Sequence, residues 1–201
     1  MHDVSLILLA AGQSSRMGTP NKLLLPVGEM PMVRHVALQY RAAFDGPILV
    51  VTGHDSEAVS AALADCDVEC VFNPDHAKGQ QGSVAVGLKN APIAELLLIG
   101  LGDQPLLKPR DILDLIEALK AADPSKVSIP ERDGARGNPI VVPHILRPQL
   151  TTNPDRPGCM RFTRDNPTLV QHHALAADGF YADIDTPQEY AALRSRKEMA
   201  S

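Results

Sequence analysis

Three short segments carry residues whose types and spacing suit chemistry on phosphate. The first is Leu9-Ala10-Ala11-Gly12-Gln13-Ser14-Ser15-Arg16-Met17-Gly18-Thr19-Pro20-Asn21-Lys22, directly after an apolar run. Small residues there let the backbone approach a ligand closely, and loop N–H groups can cradle phosphate oxygens. Arg16 and Lys22 add positive charge, the arginine in a bidentate fork. The spacing is neither a Walker A loop nor the dinucleotide fingerprint, because Lys22 stands apart from Gly18 rather than beside a glycine. The second segment is Gly100-Leu101-Gly102-Asp103-Gln104-Pro105. A carboxylate between small residues at a strand's end suits Mg²⁺, which takes one or two carboxylates and leaves other positions to phosphate and water. The third is Asp183-Ile184-Asp185, where period-two geometry puts both carboxylates on one face. One of them could complete a metal site, and the other has a structural role available beside Thr186.

These segments need a scaffold that gathers chain-distant pieces at one edge. Residues 4–10 form an apolar run broken only by Ser5, as in a strand covered on both faces. Further strands are expected at 48–52, 68–72 and 95–101, and helices at 32–43, 56–64, 82–89 and 109–122. Asp55 or Ser56 is the expected cap of the second helix. In the fourth, Ile112, Leu115, Ile116 and Leu119 form one stripe behind Pro109. Such alternation predicts βαβ units with right-handed crossovers and helices on both faces. Ligands then bind beyond the carboxyl ends of the strands, where Gly12 and Asp103 both fall.

After Pro124 the rhythm changes. Short strands at 127–130 and 139–142 flank Asp133-Gly134 and Arg136-Gly137, which reads as a strand excursion. Residues 143–167, rich in Pro, Arg and Asn, read as an irregular insertion with short helices. A last strand is expected at 180–184. A final helix at 187–197 follows, with Thr186, Pro187 and Glu189 forming a capping box. The expected class is α/β: a Rossmann-like three-layer αβα sandwich, mostly parallel, with an antiparallel excursion in the C-terminal third.

Composition excludes several functions. Asp plus Glu number 24 against 19 Lys plus Arg, a net charge of −5, which argues against generic nucleic-acid or anionic-membrane binding. With no Trp, 3 Tyr and 4 Phe, platforms that stack several bases are not expected. The 3 cysteines argue against a disulfide framework. No basic segment precedes the first apolar run, and no run reaches the ~20 residues of a membrane helix. The expectation is a cytoplasmic protein.

The pattern Leu-Ala-Ala-Gly-x-Ser-x-Arg-Met-Gly…Lys, then Gly-Asp-Gln-Pro, then Asp-Ile-Asp-Thr-Pro resembles the MobA-like nucleotidyltransferases, and within them the molybdenum cofactor cytidylyltransferases. The resemblance spans residues 7–190. It implies one nucleotidyltransferase domain over 1–201, with a nucleotide-binding half (1–123) and an acceptor-binding half with the final helix (124–201). It implies transfer of a nucleotidyl group from an NTP, CTP above GTP, to a phosphorylated acceptor such as molybdopterin, with release of pyrophosphate. Arg16, Lys22 and Asp103 would be catalytic. Leu9, Ala10, Ala11, Gly12, Ser14, Arg16, Gly18, Lys22, Asn73, Gly79, Ser83 and Gly102 would bind the nucleotide. Mg²⁺ would sit on Asp103 with Asp183 or Asp185, Asp183 being favoured because related enzymes carry Asp-x-Gly-Thr-Pro there. Gly137, Asn138 and Arg161 would face the acceptor. The segment Asp155-Arg156-Pro157-Gly158-Cys159-Met160-Arg161 departs from the family's usual pattern, with Gly158 and Arg161 the loose matches. A molybdoenzyme or its cofactor-insertion chaperone is the implied protein partner.

Other features are read plainly. Cys66 and Cys70 lack a second ligand pair at zinc spacing. Cys159 lies beside Arg156 and Arg161, charges that would lower a thiol pKa, but an ordinary thiol is the simpler reading. His172 and His173 would point to opposite faces of a strand, and His54 reads as a loop residue. A nicotinamide oxidoreductase is disfavoured by the absent Gly-x-Gly-x-x-Gly and by Thr52-Gly53 where an acidic residue would close the second strand. A non-catalytic module that holds a nucleotide or cofactor for delivery is the rival from another class.

Overall fold

In a computed structural model, which describes residues 2–18, 21–151 and 159–198, the first strand, β1 (His2–Ala10), lies inside the main sheet. Its apolar run, broken only by the buried Ser5, follows from that position. Leu6, Leu8 and Ala10 enter one core layer, and Ile7 and Leu9 enter the other. The remaining strands are β2 (Pro26–Val27), β3 (Met30–Pro31), β4 (Ile48–Thr52), β5 (Glu69–Phe72), β6 (Ala94–Leu101), β7 (Val127–Arg132), β8 (Ala135–Arg136), β9 (Ile140–Pro143) and β10 (Val170–Ala174). The helices are α1 (Met32–Ala43), α2 (Ser56–Ala62), α3 (Gln80–Asn90), α4 (Pro109–Ala121), α5 (Cys159–Asp165) and α6 (Pro187–Glu198).

The main sheet runs β10-β7-β9-β6-β1-β4-β5, with β8 paired to β7. The pairs β1–β4, β1–β6, β4–β5 and β7–β10 are parallel, and β9 runs antiparallel between β6 and β7. Residues of α1, α2 and α4 fill one face, and residues of α3 and α5 the other. The mostly parallel Rossmann-like sandwich with its antiparallel excursion is therefore as expected. The loops after β1, β4, β5 and β6 all emerge at one edge.

One expected element is different. Residues 180–184 are not a strand. A 3-10 turn (Asp178–Phe180) leads into an extended crossing segment. The Phe180 carbonyl accepts from the Asn138 N–H (2.8 Å) and Gln104 Nε2 (3.1 Å), and the Ile184 N–H donates to the Asp103 carbonyl (2.9 Å). Ile184 is buried against Val27, Met32 and Leu193. These contacts pin the segment across strand ends instead of extending a ladder. The sheet strand is β10, whose Gln171-His172-His173 lacks an apolar signal because it forms a half-covered sheet edge.

Candidate functional site

A cleft of about 360 Å³ opens beyond the carboxyl ends of β1 and β6. Its floor and one wall come from Leu9, Ala11, Gly12 and Gln13, and its far wall from His76, Ala77, Gly79, Gln80 and Ser83. Lys22 enters from a short turn that the sequence builds locally. The Lys22 N–H donates to Ser14 Oγ (3.0 Å). Asn21 Oδ1 accepts from the Leu23 N–H (3.0 Å), while Asn21 Nδ2 donates to the His54 carbonyl (3.3 Å). The ammonium group donates to Asp103 Oδ2 (2.5 Å) and Asp185 Oδ1 (2.6 Å). Arg16 Nη2 donates to Asp185 Oδ2 (2.6 Å), with 68% of its side chain exposed against 9% for Lys22. Lys22 is thus held in a buried clamp, and Arg16 by an exposed contact.

Burial acts against the charge on Lys22, yet Asp103 and Asp185 outweigh it and hold the ammonium above its usual range. Burial, reinforced by Asp183 and Asp185, raises the Asp103 carboxyl, with Lys22 opposing. Asp185 is partly buried, but Lys22 and Arg16 hold it below the usual carboxylate range. Three carboxylates therefore face two cations in this cleft.

The donor set fits a divalent cation that arrives with phosphate. Asp103 Oδ1 is buried without a hydrogen-bond partner. Asp183 lines the same cleft and makes no hydrogen bond or ion pair among the described residues. No cluster of three His, Cys, Asp or Glu among them could cage a metal alone. Two carboxylates with positions left for phosphate and water is the arrangement Mg²⁺ prefers.

A second cleft, about 380 Å³, shares Leu9, Gln80, Leu101 and Asp183 with the first. Its floor is apolar, from Val84, Ile99 and Ile140, and its rim carries Arg136, Asn138 and Arg161. Arg136 Nη2 donates to Thr163 Oγ1 (3.0 Å), and Arg161 Nε donates to Asp165 Oδ2 (3.0 Å). The Gly137 N–H donates to the Pro130 carbonyl (2.8 Å). A Cβ on Gly137 would stand 2.8 Å from the Phe180 carbonyl oxygen, so the turn admits no side chain there. Cys159 also lines this cleft, but burial pushes its thiol pKa up to about 12, against the pull of Arg136. It is no nucleophile at neutral pH.

Leu9, Ala11, Gly12, Arg16, Lys22, Gly79, Ser83, Asp103, Asp183 and Asp185 line the first cleft, and Gly137, Asn138 and Arg161 the second. Ala10, Ser14, Asn73 and Gly102 stand behind these surfaces, whereas Gly18, expected at the nucleotide, is exposed at positive φ and lines neither cleft. Ser14 holds Lys22, and Gly102 donates its N–H to the Leu9 carbonyl (2.9 Å). Asn73 is buried, and its Nδ2 donates to Ser83 Oγ (3.0 Å). Gln13, His76, Ala77, Gln80, Gln81 and Arg136 are lining residues that sequence reasoning did not single out. Gln13 and Arg136 sit inside segments already quoted, and Gln80 and Gln81 lie between Gly79 and Ser83. His76 belongs to none, and only its place after a strand's carboxyl end could have flagged it. Arg156 and Gly158 lie outside the described residues.

Fold and cleft together define a Rossmann-like α/β protein with a charged cleft at the carboxyl edge of its sheet. The chain belongs to the MobA-like NTP transferase domain family, whose model matches residues 6–174. Bifunctional protein GlmU of Rubrobacter xylanophilus is 36% identical over 193 residues, covering 94% of this chain but 38% of that protein. The chain thus spans well under half of that relative. Molybdenum cofactor cytidylyltransferase of Escherichia coli K12 is 26% identical over 199 residues, 98% of each chain. Nicotine blue oxidoreductase of Paenarthrobacter nicotinovorans is 27% identical over 195 residues, 94% of this chain and 96% of that one. Among solved structures, a nucleotidyl transferase from Methanothermobacter thermautotroptrophicus superposes with a TM-score of 0.82 at 22% identity over 99% of both chains. A Mycobacterium tuberculosis H37Rv protein in complex with manganese does so at 0.73 and 21%, covering 95% of this chain and 97% of that one. These two show the shared fold.

Proposed function

We propose that this chain transfers the nucleotidyl group of an NTP, CTP by preference, to a phosphorylated acceptor of the molybdopterin type, releasing pyrophosphate. The observation that carries the reading is the shared wall. A cleft with two cations and open carboxylates adjoins a cleft with an apolar floor and an arginine rim, and Asp183 stands in both. Full-length similarity to a molybdenum cofactor cytidylyltransferase supports the base and the acceptor.

In this reading, an acceptor phosphate oxygen bonds to the α-phosphorus as the bond from that phosphorus to the bridging oxygen breaks. The electron pair leaves on pyrophosphate. The attacking oxygen is already anionic at neutral pH, so the reaction demands alignment and charge compensation rather than a base. Lys22 keeps its proton and presents a fixed positive charge. Arg16 leaves Asp185 to grip the triphosphate in a bidentate fork. The Ala11–Gly12 backbone approaches the nucleotide, and Arg136 and Arg161 neutralise the acceptor. A Mg²⁺ held by Asp103 and Asp183 would supply further charge neutralisation on the phosphates. Three free thiols and a nucleotide substrate suit the cytoplasm.

The test is pyrophosphate release on mixing protein, Mg²⁺, CTP and molybdopterin, with the joined product identified by mass. Release with CTP above GTP is expected. Tight CTP binding without release under any acceptor would overturn the reading in favour of a delivery module.

A further inference from the structure

We propose that His76 selects the base, accepting a hydrogen bond from the 4-amino group of cytosine and so rejecting uracil. The inference rests on the nucleotidyl-transfer reading and assigns the residue that sets its nucleobase. Three observations converge on it.

First, His76 and Ser83 both line the first cleft, and both are tied to Asn73. Gly53 brings His76 there. A Cβ on Gly53 would lie 2.5 Å from the His76 Cβ and 2.8 Å from the Ala11 Cβ, so these two side chains meet over a residue that has none. Second, the ring's tautomer is fixed. His76 Nδ1 lies 3.1 Å from the Asn73 carbonyl oxygen, which can only accept. Nδ1 therefore carries the proton, and in the neutral ring Nε2 is an acceptor. Phe72 and His54, with ring centroids 6.2 and 6.5 Å away, back the imidazole. Third, the neighbouring group has the opposite polarity. Asn73 Oδ1 accepts from the Asp75 N–H (3.0 Å), which orients the amide so that Nδ2 donates to Ser83 Oγ. The Ser83 hydroxyl then keeps its own hydrogen to donate. An acceptor at His76 with a donor at Ser83 matches cytosine, whose 4-amino group donates and whose N3 and O2 accept. Uracil presents an oxygen where the amino group would be, and two acceptors would face each other.

Equilibrium dialysis of CTP, UTP and the CTP analogue lacking the 4-amino group tests this on the full chain. The wild type should bind CTP at least about tenfold more tightly than the other two. His76→Phe, which keeps a ring without the acceptor, should compress the CTP-to-UTP ratio below about threefold, and His76→Gln should retain part of it. Equal wild-type affinity for all three, or an unchanged ratio in His76→Phe, overturns the inference and leaves nucleotidyl transfer standing. The analogue needs no variant, so its binding as tightly as CTP overturns the inference even if His76→Phe folds poorly, and His76→Gln then carries the assignment to the residue. A wild type that binds none of the three overturns the transfer reading as well.

Discussion

The two clefts share a wall and are built on opposite principles. The first is ionic: Lys22 is clamped between two carboxylates, and every charged group has a named counterpart or an open oxygen. The second is apolar below and cationic at its rim, and its arginines lean on Thr163 and Asp165. The first cleft is set for one constant chemistry. The second grips by shape and peripheral charge, properties that change with a few side chains.

The sharpest way to break this comparison is Asp103→Asn, which removes charge from the ionic cleft alone. Pyrophosphate release should fall by about 10²–10³-fold with circular dichroism unchanged, whereas near wild-type turnover would remove Asp103 from the reaction. Lys22→Met should cost both activity and about 3 kcal/mol of stability, read by urea unfolding, because it strands the buried Asp103 and leaves Asp185 only its exposed Arg16 contact. Wild-type stability would mean the clamp is incidental. Arg161→Ala should act on the other cleft only, raising the acceptor KM by about tenfold and leaving the CTP KM unchanged. A change in the CTP constant would show that the clefts are not separable.

The smallest expected effect lies outside both clefts. On β10, burial and then His172 hold the His173 pKa below its ordinary value. The unfolded chain therefore takes up this proton at higher pH than the folded one. The stability linked to the neutral ring is full above about pH 6.5 and is lost as pH falls through that value. His173→Gln should flatten the stability profile just below pH 6.5 and leave nucleotide binding intact. An unaltered profile would remove His173 from the linkage.

The βαβ half was legible because both faces of β1, β4 and β6 are buried, so the stretches 4–10, 48–52 and 95–101 announce themselves as mainly apolar. The polar edge strand β10 carries no such signal. Asp183 and Asp185 were expected to share a strand face, and they do line one cleft, but an extended crossing segment puts them there. Contiguous motifs exposed Arg16, Lys22 and Asp103. His76 stayed hidden because its position depends on Gly53 and Ala11, two contacts distant in sequence that no local pattern records.

The doubly bonded Phe180 carbonyl has an evolutionary consequence. It anchors the chain just upstream of Asp183 to both Gln104 and Asn138, so the geometry at the carboxylates is set downstream of residues 144–169. Changes among the exposed residues of 144–151 and 159–169 therefore leave Asp183 and Asp185 in place. A lineage can thus remodel the second cleft while the carboxylate cleft keeps its registration. Changes tolerated at exposed positions of 144–151 and 159–169 and rejected between Phe180 and Asp185 are the pattern such an anchor imposes.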